Sequence, residues 1–210
     1  MLDEFEKQFQ FKVERQMAGV DPAHDILHFK RVVRTAKQLA IAEKAKLEVV
    51  VPAAWLHDLV WIAKDDPRRA QASQLSANAA IQYLADCGYP ERHFQEIAHA
   101  IEAHSFSAEV RAKTLEAKVV QDADRLDGLG AIGIARCFAT SGLLRRTFYS
   151  ENDPLCAERT PDDARFAVDH FFKKLFKVAQ TLHTDSGRKE GQRRVEVMQI
   201  YMKNLEQEIL

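Results

Sequence analysis

Apolar residues recur through this chain at the three- and four-residue intervals of an amphipathic helix, and almost nowhere with the alternation of a strand. Phe5, Phe9 and Val13 predict a first helix. The Gly19-Val20-Asp21-Pro22 stretch ends it and opens a second over residues 22–45, with Asp21 suited to the N-cap and Pro22 to the first helical position. Ile26, Phe29, Val33, Ala36 and Ala40 form the buried stripe of that helix. A third begins near Glu48, since Pro52 belongs in a first turn; it carries His57 and Asp58 and ends before Asp65-Asp66-Pro67. Helices follow over 73–87, 91–103 and 115–126, then a small-residue run over 128–135 suited to close packing. The last two helices span 163–182 and 188–210. Residues 142–163 are the one long polar, irregular stretch, of a length that suits a mobile loop or lid. With no strand, repeat or low-complexity tract, the pattern predicts one all-α domain over 1–210.

Composition narrows the function classes. At 210 residues the chain is long enough to bury a core without staples. A formal net charge of −1 offers no global field for nucleic acid or anionic lipid. Cys87, Cys137 and Cys156 are odd in number and widely spaced, which reads as free thiols in a reducing compartment. There is no signal-peptide pattern at the N-terminus and no apolar run near the ~18–20 residues a membrane span needs. The expectation is a cytoplasmic protein.

Candidate chemistry begins with His57-Asp58, set between Ala53-Ala54-Trp55-Leu56 and Leu59-Val60-Trp61-Ile62. Burying an imidazole and a carboxylate is costly unless each finds a partner, a proton or a metal. His24 and His28 lie four apart on the second helix and share a face, a spacing that solvated helix surfaces also meet by chance. Three carboxylates follow in Gln121-Asp122-Ala123-Asp124-Arg125-Leu126-Asp127, of which Asp124 and Asp127 share a face. One His, an adjacent His-Asp pair and one Asp from separate helices can converge in a bundle. Two imidazoles and two carboxylates suit a divalent ion with open positions for water, and the absence of a thiolate disfavours a structural zinc. Spacing does not separate Asp122 from Asp124.

The order His28, then His57-Asp58, then Asp124 resembles the motif of the HD-domain metal-dependent phosphohydrolase superfamily. The contexts His28-Phe29-Lys30-Arg31-Val32, Ala53-Ala54-Trp55-Leu56-His57-Asp58 and Asp122-Ala123-Asp124-Arg125-Leu126-Asp127 match as well. Residues 131–136 and 170–175 resemble a bacterial subgroup of single-domain HD hydrolases. The resemblance implies an HD-like helical bundle with His28, His57, Asp58 and Asp124 as ligands of one divalent ion (Mn, Co, Ni, Fe, Zn or Mg), and Asp122 behind them. It implies hydrolysis of a nucleotide or similar small phosphorylated metabolite by a metal-activated water, releasing either phosphate or pyrophosphate.

Asp58, His104 and Asp127 are then the candidates for handling water and protons, and His24, Lys64, Lys174 and Arg145 for holding substrate. His99 lies five residues before His104 and faces about 140° away on an ideal helix, so the two do not serve one ion. One departure stands out: some HD nucleotidases keep a carboxylate three residues beyond the motif Asp, where this chain has Trp61. Asp127 and the Lys64-Asp65-Asp66 cluster are its substitutes. The alternatives are an HD-fold di-iron oxygenase, which needs further histidines, and a non-catalytic nucleotide-binding protein. No membrane or specific nucleic-acid partner is expected, and the oligomeric state is left open, a homodimer included.

Overall fold

A computed structural model describes residues 1–16, 26–60, 62, 66, 68–105 and 108–209. Its helices are α1 (Leu2–Gln16), α2 (Ile26–Glu43), α3 (Leu47–Leu56), α4 (Ala72–Asp86), α5 (Phe94–His104), α6 (Leu115–Asp127), α7 (Gly130–Leu143), α8 (Phe176–Ala179) and α9 (Asp185–Ile209). Among the described residues there is no strand, only a lone parallel bridge between Thr147 and Phe166. The all-α expectation holds. The Asp21-Pro22 helix start lies outside the described residues.

The chain divides into two compact units, 1–124 with 183–186, and 125–182 with 187–210. In the first, α3 is the centre. Every residue from Val49 to Leu56 is buried, the mark of a helix apolar on all sides, and α1, α2, α4 and α5 pack on it. Pro52 sits inside this helix rather than in its first turn, contrary to the sequence expectation. A proline there leaves the carbonyl four residues earlier without its helical donor. That carbonyl is Glu48, and the Tyr89 hydroxyl donates to it at 2.6 Å. The helix also stops sooner than expected, at Leu56, so His57 and Asp58 lie on the turn that leaves it.

The second unit gathers an aromatic core from Phe138, Phe148, Phe171, Phe176 and Tyr201. The small residues from Gly128 into the first turn of α7 serve the turn out of α6. Gly130 has a φ of +70°, and a side chain on Gly133 would strike the Gly128 carbonyl. The helix expected over 163–182 is shorter, a π-helical turn Phe171–Leu175 leading into α8. Its first residues are used otherwise: Thr147 N–H donates to the Arg165 carbonyl at 3.0 Å, and Ala167 N–H to the Thr147 carbonyl at 2.9 Å. The preceding polar stretch carries hydrogen bonds of its own. Asp153 accepts from the N–H groups of Ala157, Glu158 and Arg159, and Arg159 forms a two-pronged pair with buried Asp169 at 2.5 and 2.7 Å.

Candidate metal centre

His28, one of the inward positions of α2, is buried, as are Phe29, Val32 and Val33 on the same helix. His57 leaves the end of α3 fully buried, and its Nδ1 lies 2.9 Å from the Ala54 carbonyl. A carbonyl can only accept, so Nδ1 carries the proton and Nε2 keeps a bare lone pair. The last carbonyls of a helix lack intrahelical donors, which is why a ring at this position finds one to bind. Nε2 of His57 is buried and has no hydrogen-bond partner. It faces Asp58 Oδ2 at 3.8 Å and Asp124 Oδ1 at 3.9 Å, while His28 Nε2 lies 3.6 Å from that same Asp124 oxygen. Donor atoms of His28, His57 and Asp58 all fall within 4.8 Å of one another.

These residues fit a divalent cation. Bonds of ~2.1 Å place neighbouring ligand atoms ~3–3.4 Å apart, so the donors stand slightly open for one ion. A buried, unprotonated imidazole nitrogen aimed at two carboxylates is otherwise a polar atom without a purpose. Burial pushes the His57 pKa down to about 4, with the neighbouring His104 and His28 adding to the fall and the two aspartates opposing it. The ring is thus neutral near pH 7, the state that ligates.

His104 ends α5 as His57 ends α3. Its Nδ1 lies 2.6 Å from the Ile101 carbonyl and its Nε2 3.3 Å from Asp58 Oδ1. Both nitrogens face acceptors, the arrangement of an imidazolium. Burial lowers its pKa, but the bond and charge of Asp58 outweigh that, and the net direction is upward. For Asp58 burial raises the pKa, yet the His104 hydrogen bond and then the charges of His57, His104 and His28 hold it far below the carboxylate range.

Asp122 is fully buried and turned from the donors, accepting from His183 and Thr184. Asp127, in the last turn of α6, is bound by Arg136 at 2.7 Å in the second unit. Lys174 and Arg145 are exposed cations of that unit. His99 accepts from the Lys113 N–H at 3.0 Å, in keeping with its separate facing. His24, Trp61, Lys64 and Asp65 lie outside the described residues. One residue the sequence reading passed over is Gln121, buried one turn before Asp124 with both ends of its amide bonded. The signal was an amide on an otherwise apolar helix face, a pattern too common to single out alone.

Comparison with known proteins bears on the whole arrangement. Residues 26–129, which include all four ligand candidates and His104, match the HD domain family. The uncharacterised protein YpgQ of Bacillus subtilis is 31% identical over 207 residues, covering 97% of this chain and 93% of that protein. A crystal structure of B. subtilis YpgQ in complex with ADP superposes with a TM-score of 0.76 at 32% identity, over 97% of both chains. An HD-superfamily hydrolase from Bacillus thuringiensis superposes with a TM-score of 0.78 at 25% identity, over 99% of this chain and 98% of that one. Similarity along nearly the full length, with the His-Asp pair inside the matched segment, makes this chain a member of the HD-domain superfamily with its hydrolase fold.

Proposed function

We propose that this protein is a metal-dependent phosphohydrolase acting on a nucleotide or similar small phosphorylated metabolite, with His28, His57, Asp58 and Asp124 as the metal ligands. The observation that carries the reading is the buried Nε2 of His57, without a hydrogen-bond partner, amid His28, Asp58 and Asp124. The nucleotide is supported by the ADP bound to the related YpgQ. A divalent cation at these residues would supply Lewis acidity to a phosphoryl oxygen and lower the pKa of water.

The chain's own groups do the rest. Water oxygen gives up a proton and bonds to phosphorus as the phosphorus–oxygen bond to the leaving group breaks, and the leaving oxygen takes up a proton in its turn. His104 holds such a proton at Nε2, a role supported by its 3.3 Å approach to Asp58 Oδ1. Asp58 orients the water through its carboxylate. Lys174 and Arg145 keep their assignment as substrate contacts, and Asp127 its assignment to proton handling; each is tested by neutralising substitution. The cytoplasm is the compartment we infer, consistent with free Cys87, Cys137 and Cys156. No helix among the described residues is long and apolar enough to cross a membrane.

The test is a screen of metal-stripped protein, resupplied with each candidate ion, against nucleoside mono-, di- and triphosphates and other phosphorylated metabolites. Phosphate and pyrophosphate release are read separately, beside Asp58→Ala. Turnover that needs both the ion and Asp58 is expected. A metal-loaded wild type that hydrolyses none of them would sink the reading in favour of a non-catalytic nucleotide-binding protein.

A further inference from the structure

Behind the metal centre, α6 carries a second polar cluster. Gln121 uses both ends of its amide: Nε2 donates to the Ala103 carbonyl at 2.5 Å, and Oε1 accepts from His183 Nε2 at 2.5 Å. Asp122 accepts from the backbone N–H groups of His183 and Thr184 and from the Thr184 hydroxyl, at 2.7–3.1 Å. Glu43, at the end of α2, accepts from the Ser186 N–H at 2.7 Å. Residues 183–186 are the only part of the chain beyond α6 assigned to the first unit, and these three side chains hold them there.

The Ala103 carbonyl links this cluster to the site. It belongs to the last turn of α5, where carbonyls lack helical donors. His104 takes the Ile101 carbonyl and Gln121 takes that of Ala103. The turn that aims His104 Nε2 at Asp58 is therefore fastened to α6, whose Asp124 stands one turn beyond Gln121. A buried network with every member bonded is stiff, and losing one bond leaves stranded polar groups.

We propose that Gln121 and Asp122 are positioning residues of the metal centre, so that metal affinity and the anchoring of residues 183–186 are linked. The inference rests on the metal reading above. The linkage is reciprocal: what loosens the segment weakens the ion, and the ion tightens the segment.

The experiment is Mn²⁺ calorimetry on the full chain, well below each protein's unfolding temperature, for wild type, Gln121→Met and Thr184→Val. Phe9→Leu is the control, a core change in α1 against Tyr83 and Tyr89. Thr184→Val removes one hydroxyl bond and serves should Gln121→Met not fold. Amide exchange of 183–184 is followed in wild type with and without Mn²⁺. Partners bonded to metal ligands typically contribute about 10–100-fold in affinity. Gln121 acts one step further back, through the turn that aims His104. Binding weakened by up to about 10-fold, and by clearly more than the control's limit of about twofold, is therefore expected in Gln121→Met. Mn²⁺ is expected to slow exchange at 183–184. Variants binding as wild type does, a control weakened equally, or exchange indifferent to Mn²⁺ each overturn the proposal. Wild type binding no divalent ion would instead remove the metal reading itself, before any variant is compared.

Discussion

His57 keeps a bare lone pair on one ring nitrogen because the other is committed to the Ala54 carbonyl. His104 repeats the device on Ile101, yet the two rings, 4.8 Å apart, differ in their protons: burial dominates in His57, and Asp58 prevails in His104. A carbonyl bond that fixes the tautomer makes the ring a better ligand than an imidazole free to turn. His57→Ala should therefore weaken Mn²⁺ binding by at least about 100-fold, beyond the usual effect of residues one step behind a metal. His99→Ala, which disturbs only the Lys113 N–H, should leave it unchanged. Calorimetry of the two variants side by side checks this, and equal losses would undo the assignment. The pairing of His57 with Asp58 was legible from their apolar setting, and the choice of His28 over His24 came from the resemblance. The choice between Asp122 and Asp124 was legible only through the resemblance as well. In the structure it is a matter of helix facing: Asp124 looks toward the imidazoles and Asp122 toward Thr184.

Among the elements, α3 is the one that departs most from its expected form. A proline in the first turn needs no compensation, whereas Pro52 inside the helix does, and Tyr89 supplies it from beyond α4. Burial and the Glu48 charge push the Tyr89 hydroxyl up to about 12, so it stays a donor across the working pH range. Tyr89→Phe leaves the Glu48 carbonyl unsatisfied and should cost about 1–3 kcal/mol in denaturant unfolding. In the Pro52→Ala background the new N–H serves that carbonyl, and the same substitution should cost well under half as much; equal costs would refute the account. The segment leading to α8 behaves in an analogous way. Its apolar spacing over 163–182 reads as helix, but Thr147 and the Arg159–Asp169 pair claim the first turns. Burial raises the Asp169 pKa, while Arg159 and the Asp162 N–H lower it further, so the net shift is downward. A depressed carboxylate adds stability above its unfolded pKa and loses it as pH falls through the folded value. Asp169→Asn should thus lower stability at pH 7 by about 3 kcal/mol, and the gap to wild type should close below about pH 4. Thermal unfolding across pH 2–8 reads it, and a gap constant with pH would exclude the ion pair as its source.

For the molecule as a whole, the proposed ion would join the ends of three helices of the first unit: α2 through His28, α3 through His57-Asp58, and α6 through Asp124. An ion that binds only the folded chain stabilises it by mass action. Free Mn²⁺ at 100 times its dissociation constant should add about 2.7 kcal/mol to unfolding free energy, and at most about 0.4 kcal/mol in His57→Ala at the same concentration. Denaturant titrations with and without the ion measure it, and an equal gain in both proteins would mean binding elsewhere. The formal charge of −1 sets a complementary expectation, that the chain shows no salt-dependent retention on duplex DNA.

What the amino-acid order determined alone is what local spacing controls. Helical periodicity made the chain all-α, and the apolar flanks of His57-Asp58 required the burial of His57, while Asp58 stays part-exposed. The motif order His28, His57-Asp58, Asp124 carried the superfamily. Tertiary packing decided where helices stop, which carbonyls acquire distant donors, and which carboxylate faces the imidazoles. Those outcomes depend on groups far apart in sequence, such as Tyr89 on Glu48, Thr184 on Asp122 and Thr147 on Arg165. A helical period records which side of a residue is buried; it carries no record of the partner met there.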